Sequence, residues 1–248
     1  EAYGETTVNY NRDVEIFPVL NTIFEKIYGE SPYKSPTDMG VNMAGNCICD
    51  DEACREASKQ EIIRRYFDAL NALAKGSTSE KEAQKIELLM NMAGITVTDR
   101  KVVIKALERA KETDGPAAAL ELRDGRIITG KTTNLLGASA ALLLNVLKVL
   151  AGIDHETHII SPESIEPIQK LKVDYLKSKN PRLHTDEVLI ALSASAATNP
   201  QARLALSQLP ELAGCQAHTS VMLSDVDIKI FKKLEVQLTS EAVYEHAL

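Results

Sequence analysis

Apolar positions recur at helical spacing from residue 12 to 28, at Val14, Phe17, Leu20, Ile23, Phe24 and Ile27, and the run closes on Gly29. That period predicts an amphipathic helix ended by a residue suited to the left-handed conformation. Pro18 has no amide hydrogen to give, so it is expected in the first turn or at the start of the helix proper. Residues 30–50 then show neither period and are dense in Pro, Gly, Ser and Asn. An irregular stretch of that length inside a domain is more often functional than accidental. A second helix is predicted from about Asp51 to Lys75, with an acidic start, a stop at Gly76 and an apolar stripe through Cys54, Ala57, Ile62, Ile63, Tyr66, Phe67, Leu70 and Leu73. Its other face interleaves Arg55, Lys59, Arg64 and Arg65 with Glu52, Glu56 and Glu61, spaced for pairs such as Glu61–Arg65. Two more helices are predicted near 79–93, stopped by Gly94, and near 99–113, capped by Thr98 or Asp99.

At Gly115-Pro116 the pattern changes. Two β-prone runs, AAALELR and RIITG, flank Asp124-Gly125, which is a strong hairpin signal. An apolar helix over 135–151 follows, then a strand near 156–160 and a helix over 162–177 opened by Ser161-Pro162. Helices at 185–197 and 200–209, a strand at 216–223, a helix at 225–234 and a strand at 236–239 complete the order. The fold class expected is α/β (α+β). A helical subdomain over 1–115 carries the long polar loop 30–50, and residues 116–248 form a mixed-sheet three-layer α/β sandwich with deaminase-like element order. Element order alone assigns no function.

Composition narrows the classes. The 248 residues are 44% hydrophobic and 25% charged, which is ordinary for a globular protein. A net charge of −7 argues against nucleic acid as a partner. The one candidate membrane run, LLGASAALLLNVLKVLAGI from Leu135 to Ile153, carries Asn145 and Lys148 in its middle. Those groups are costly in lipid, so the run reads as a helix buried on two sides and no membrane partner is expected. Cys47, Cys49 and Cys54 cluster without a secretory signal, which points to a reducing, cytoplasmic compartment. The start Glu1-Ala2-Tyr3-Gly4 carries no initiator Met, and the natural chain is expected to begin upstream.

Several motifs bear on chemistry. Gly125-Arg126-Ile127-Ile128-Thr129-Gly130-Lys131-Thr132 fits the phosphate-loop pattern. Its middle, however, reads as the return strand of the hairpin, and a strand cannot wrap a phosphate. A weaker anion site survives at Lys131, Thr132 and Thr133 before the apolar helix, where free amides attract anions, against plain capping by Thr133 or Asn134. Zinc deamination is excluded, because the two helix starts that should carry its ligands read Lys131-Thr132-Thr133 and Ser161-Pro162-Glu163. The spacing Cys47-x-Cys49-x4-Cys54 is not that of a zinc site, and no metal is expected; a reactive thiol at Cys47 or Cys49 is the alternative. His155 and His158, three apart on a strand, would point to opposite faces. His218 falls within the strand expected at 216–223, and no nucleophile elbow supports Ser139, Ser193 or Ser195, so all four read as structural residues. No cofactor is named by these residues.

Two stretches carry a resemblance. The run from Glu30 to Asn46, ESPYKSPTDMGVNMAGN, and the run from Arg55 to Tyr66, REASKQEIIRRY, closely resemble the bacterial family known as domain of unknown function 1846. Asp124 to Thr132, Ser195 to Pro200, Gly214-Cys215 and Ala217-His218 extend the resemblance over essentially the whole chain. It implies a C-terminal half, with an α/β N-terminal half carrying a phosphate-loop-like turn as its partner. It carries over no reaction and no catalytic residue. Two readings follow. In the first, Lys34, Ser35, Thr37, Asn42 and Asn46 of the loop, with Arg55 and Lys59 of the next helix, complete a nucleotide or phosphorylated-ligand pocket with that half. There Lys34 and Arg55 bind charge, and Asp38 is base or metal ligand. In the second, the same loop belongs to a non-catalytic interaction or assembly module, with a homo-oligomer as one form.

Overall fold

The structure is a computed structural model that describes residues 10–36, 38, 39 and 51–245, and the chain divides into two compact units, Glu1–Arg100 and Lys101–Leu248. In the first unit α1 (Tyr10–Tyr28) ends at Gly29, whose φ of 81° is the left-handed turn that glycine adopts without a Cβ penalty. Pro18 lies inside α1, not in its first turn as expected, because the helix begins well before it at Tyr10. Its ring removes one backbone donor, which a single helix tolerates at a local cost. Helices α2 (Asp51–Ala74) and α3 (Glu80–Ala93) follow, each closed by a left-handed glycine, Gly76 and Gly94. Ile62, Ile63 and Phe67 of α2 are buried as the apolar stripe requires, and Arg65 Nε meets Glu61 Oε1 at 2.9 Å on the other face.

The second unit begins with α4 (Lys101–Thr113), which packs directly on the sheet. Strands β1 (Ala117–Glu121) and β2 (Ile127–Lys131) form the expected hairpin, Gly125 taking φ 83° in the turn while Asp124 Oδ1 accepts the Arg126 amide at 3.0 Å. The chain continues through α5 (Ala138–Leu150), α6 (Pro162–Lys170), α7 (Thr185–Ser195) and α8 (Pro200–Leu206), then β3 (Gln216–Thr219), α9 (Asp225–Lys233) and β4 (Gln237–Ser240). The strand order is β2-β1-β3-β4, with β1 antiparallel to both neighbours and β3 parallel to β4, so the sheet is mixed.

Alternation along β1 sets the layers. Ala118 and Leu120 join the main core with α5, whereas Ala119 packs with Val102 and Ala106 of α4. Successive side chains of a strand face opposite ways, so helices cover both faces of the sheet. Helix α5 packs against β1 and β2 and also against α7 and α8. Covered on two sides, it is apolar nearly all round without being a membrane span, and no helix among the described residues is long and apolar enough to cross a bilayer.

Three expected elements change, and one of them, the strand expected at 216–223, stops at Thr219. Residues 156–160 form no strand. Helix α5 ends in a left-handed Gly152 (φ 64°), with Ile153 N donating to Lys148 O at 2.9 Å and Gly152 N to Val149 O at 3.2 Å. The chain then turns on Asp154, whose Oδ1 accepts Glu156 N at 2.9 Å. Local turns thus satisfy the backbone that a strand partner would otherwise have to satisfy, while Ile153, Ile159 and Ile160 still plug the core. The helix expected over 162–177 passes at Leu171 into a π turn, Leu171–Tyr175. There the buried Lys172 donates to Arg182 O at 2.6 Å and to Glu187 Oε2 at 2.7 Å.

Candidate functional site

The end of β2, helix α5 and the turn after it enclose a cavity of about 590 Å³ in the second unit. Each wall has a local cause. Asn145 of α5 donates Nδ2 to Thr129 O at 2.9 Å, tying the helix to the strand. Thr133 Oγ1 accepts the amides of Leu135 and Leu136 at 3.2 and 3.0 Å, and Leu183 N holds Leu135 O at 2.9 Å, so the strand-to-helix turn is braced. Lys148, in the last turn of α5, donates Nζ to His155 O at 2.7 Å and thereby fixes the opposite rim.

The permanent charges of the lining are of one sign, from Arg109, Lys131 and Lys148. Arg109, Lys131, Lys148, His155 and His158 all line the cavity, and no Asp or Glu does so among the described residues. Its floor is aliphatic, with Leu144, Ile159, Ile160 and Ile165. Arg109 Nη1 meets Glu112 Oε2 at 3.0 Å, but its buried Nε has no hydrogen-bond partner among the described residues. Burial pushes the Lys148 ammonium below the usual lysine range, offset in part by Glu156 and Asp154 outside the cavity. Lys131 is exposed and makes no ion pair among the described residues. A concave space of this size with an apolar floor and a few convergent polar groups has the character of a small-molecule site. Its cations suit an anion, and Arg109 suits a planar or tetrahedral oxyanion in particular.

A second cluster joins the N-termini of α7 and α9. Buried Asp227 accepts from Thr185 N at 2.9 Å, Thr185 Oγ1 at 2.8 Å and Ser224 Oγ at 2.7 Å, and it lies 2.9 Å from His184 Nδ1. Despite a burial that opposes ionisation, the bonds from His184, Thr185 and Ser224 bring its pKa down to about 2. The bond to Asp227 raises the His184 pKa. Both hydroxyls bond the Asp227 carboxylate, and Ser224 Oγ lies 3.5 Å from the same Nδ1 that meets it. The arrangement is therefore a clamp between two helix starts, not a nucleophile–base relay.

Family models match nearly the whole chain. The N-terminal part of the domain of unknown function DUF1846 matches residues 1–94, and its C-terminal part matches residues 98–248. The chain belongs to the DUF1846 family. A UPF0371 protein of Corynebacterium aurimucosum is 60% identical over 243 residues, covering 98% of this chain and 49% of that protein. Another from Corynebacterium urealyticum is 58% identical over 244 residues, with the same coverages. One from Streptococcus thermophilus is 53% identical over 246 residues, covering 99% of this chain and 50% of its own length. Both family parts fall within these residues, so the family match by itself reveals no missing N-terminal half. The chain nonetheless spans about half the length of the curated relatives it matches.

The residues singled out from sequence divide between the two units of this DUF1846 chain. In the second unit Lys131 and Thr133 line the cavity, while Thr132 extends the hairpin ladder, its amide donating to Pro116 O at 2.9 Å. In the first, Ser35 and Asp38 are buried and brace a helical turn: Asp38 N donates to Ser35 Oγ at 3.1 Å and Lys34 N to Asp38 Oδ2 at 2.6 Å. Cys54 Sγ lies 3.6 Å from the same Ser35 hydroxyl. Arg55 pairs with Glu52 at 3.2 Å and Lys59 with Glu56 at 2.9 Å, so neighbours already balance both cations. Thr37, Asn42, Asn46, Cys47 and Cys49 lie outside the described residues.

Sequence reasoning missed Arg109, Lys148, His155 and His158. On a strand the two histidines would face opposite ways; because 156–160 is a turn instead, both line the same cavity. The absence of strong strand bounds around His155-Glu156-Thr157-His158 was the available signal. His218, by contrast, is the satisfied structural histidine expected. It is wholly buried in β3, with Nδ1 2.8 Å from Thr239 Oγ1 and Nε2 3.2 Å from Glu241 Oε1.

Proposed function

We propose that this chain binds a small phosphorylated ligand in the cationic cavity of its second unit. One observation carries the reading: in a chain of net charge −7, Arg109, Lys131, Lys148, His155 and His158 line one cavity of about 590 Å³ that no carboxylate lines among the described residues. Like charges gathered around an apolar floor repel one another, and an anion relieves that repulsion. The ligand is a phosphate ester or a nucleotide, and Lys131 is the cation freest to meet it. Calorimetric titration of the purified chain with inorganic phosphate tests this. Binding is expected, it should weaken on raising the salt, and Lys131→Ala should cost about 1.5 kcal/mol, roughly tenfold in affinity. Unchanged affinity in that variant removes the reading.

A groove of about 1000 Å³ in the first unit favours a second reading, assembly. Val19 of α1 (59% exposed) and Leu88 and Met92 of α3 (61% and 58% exposed) line it with Pro18 and Ile23. In this reading the remaining length of a full-length family protein covers the groove, which fits relatives about twice as long. Leu88→Glu should then lower the melting temperature of a full-length family protein and leave the 248-residue chain unchanged. Equal effects in both contradict it.

A further inference from the structure

Beside the cationic cavity lies a second one of about 420 Å³, and His158 and Ile159 line both. It sits among the start of α6, the last turns of α7 and the residue before α8. Besides His158 its polar lining is Ser161, Ser164, Ser195, Thr198 and Asn199, none of them ionisable in the ordinary range, over an aliphatic floor of Ile168, Ala191 and Ala194. We infer that the ligand is a phosphorylated carbohydrate, its phosphate among the cations of the first cavity and its hydroxylated part in the second. The inference rests on the anion site proposed above and adds the class of molecule attached to the phosphate.

Hydrogen-bonding capacity carries the argument. Asn199 Oδ1 is occupied, accepting the amides of Gln201 and Ala202 at 2.9 and 3.3 Å, which leaves its Nδ2 to donate. Ser195 Oγ donates to Ala191 O at 2.8 Å and keeps its lone pairs for an incoming donor. Ser161 Oγ also bonds the Glu163 carboxylate, so Ser164 donates to Ser161 across 3.1 Å and each hydroxyl still has an acceptor position. A surface that offers donors and acceptors together, without charge, matches sugar hydroxyls, which both give and take hydrogen bonds. A nucleobase would call for an aromatic face to stack on, and the apolar part of this lining is aliphatic. The lining is also built in advance: Thr198 N and Asn199 N both donate to Ser195 O, at 3.2 and 2.9 Å, locking the turn between α7 and α8. His158, common to both cavities, stands where the phosphate ester joins the sugar.

The test is a calorimetric comparison of inorganic phosphate, a hexose 6-phosphate, the free hexose and AMP on the wild-type chain, on Lys131→Ala and on the double variant Ser164→Ala, Thr198→Val. Circular dichroism melts confirm that each variant folds. The hexose phosphate should bind at least tenfold more tightly than inorganic phosphate. The double variant should erase that advantage and leave inorganic phosphate unchanged, whereas Lys131→Ala should weaken both. Three results overturn the inference alone: a hexose phosphate no tighter than inorganic phosphate, AMP tighter than the hexose phosphate, or an advantage that survives the double variant. If neither inorganic phosphate nor any ester binds, the anion site fails and takes the inference with it.

Discussion

Asp227 accepts hydrogen bonds from a backbone amide and two hydroxyls and faces an imidazole, all from residues at the starts of α7 and α9. Its pKa near 2, against an ordinary value of about 3.9, is a stability statement. The folded state binds its proton less readily than the unfolded chain does. The contribution is therefore fully present above about pH 4 and is lost as pH falls through 2. At about 1.4 kcal/mol per unit it amounts to roughly 2.5 kcal/mol for this buried group. Asp227→Asn should lose about that much in urea denaturation at pH 7, and the gap to wild type should close toward pH 2; a gap independent of pH contradicts the assignment. His184 carries the opposite sign. Its raised pKa gives stability that is complete below the ordinary histidine value and fades as pH rises through the folded one. His184→Asn should therefore cost more at pH 5.5 than at pH 9 in the same assay.

The contact between β2 and α5 turns on one missing side chain. A Cβ on Gly130 would stand 2.2 Å from Leu142 N and 2.5 Å from its Cα, so the helix backbone lies directly on the strand. Gly130→Ala must push α5 off the sheet and is expected to cost on the order of 3 kcal/mol, read as a fall in the denaturation midpoint. Gly125→Ala meets open space and bears only the strain of φ 83°, on the order of 1 kcal/mol. Equal losses at the two positions would refute this account of the packing. The same glycines explain why a phosphate-loop pattern occurs here without a phosphate loop: Gly125 serves a hairpin turn and Gly130 a helix contact. Strong periods were legible in the sequence, as in α2, with its Glu61–Arg65 pair, and in the hairpin around Asp124-Gly125. The segment at 156–160 was not, since Ile159 and Ile160 are buried by a turn whose hydrogen bonds come from Asp154, and a short apolar run has the same pattern in either conformation. The cavity was half legible. Lys131 and Thr133 drew notice from their place before a helix, but Arg109 and Lys148 reach the cavity from α4 and α5, which no local pattern reveals.

On the scale of the molecule, the acidic chain keeps its cationic lining in the second unit, while the first presents an apolar groove. The central claim is that an oxyanion occupies the first of these. A crystal soaked in tungstate, a heavy tetrahedral analogue of phosphate, tests it directly by anomalous scattering. The claim predicts a peak in the cavity within hydrogen-bonding reach of Lys131 Nζ and the Arg109 guanidinium. A cavity filled by water alone, with tungstate bound only elsewhere, contradicts it.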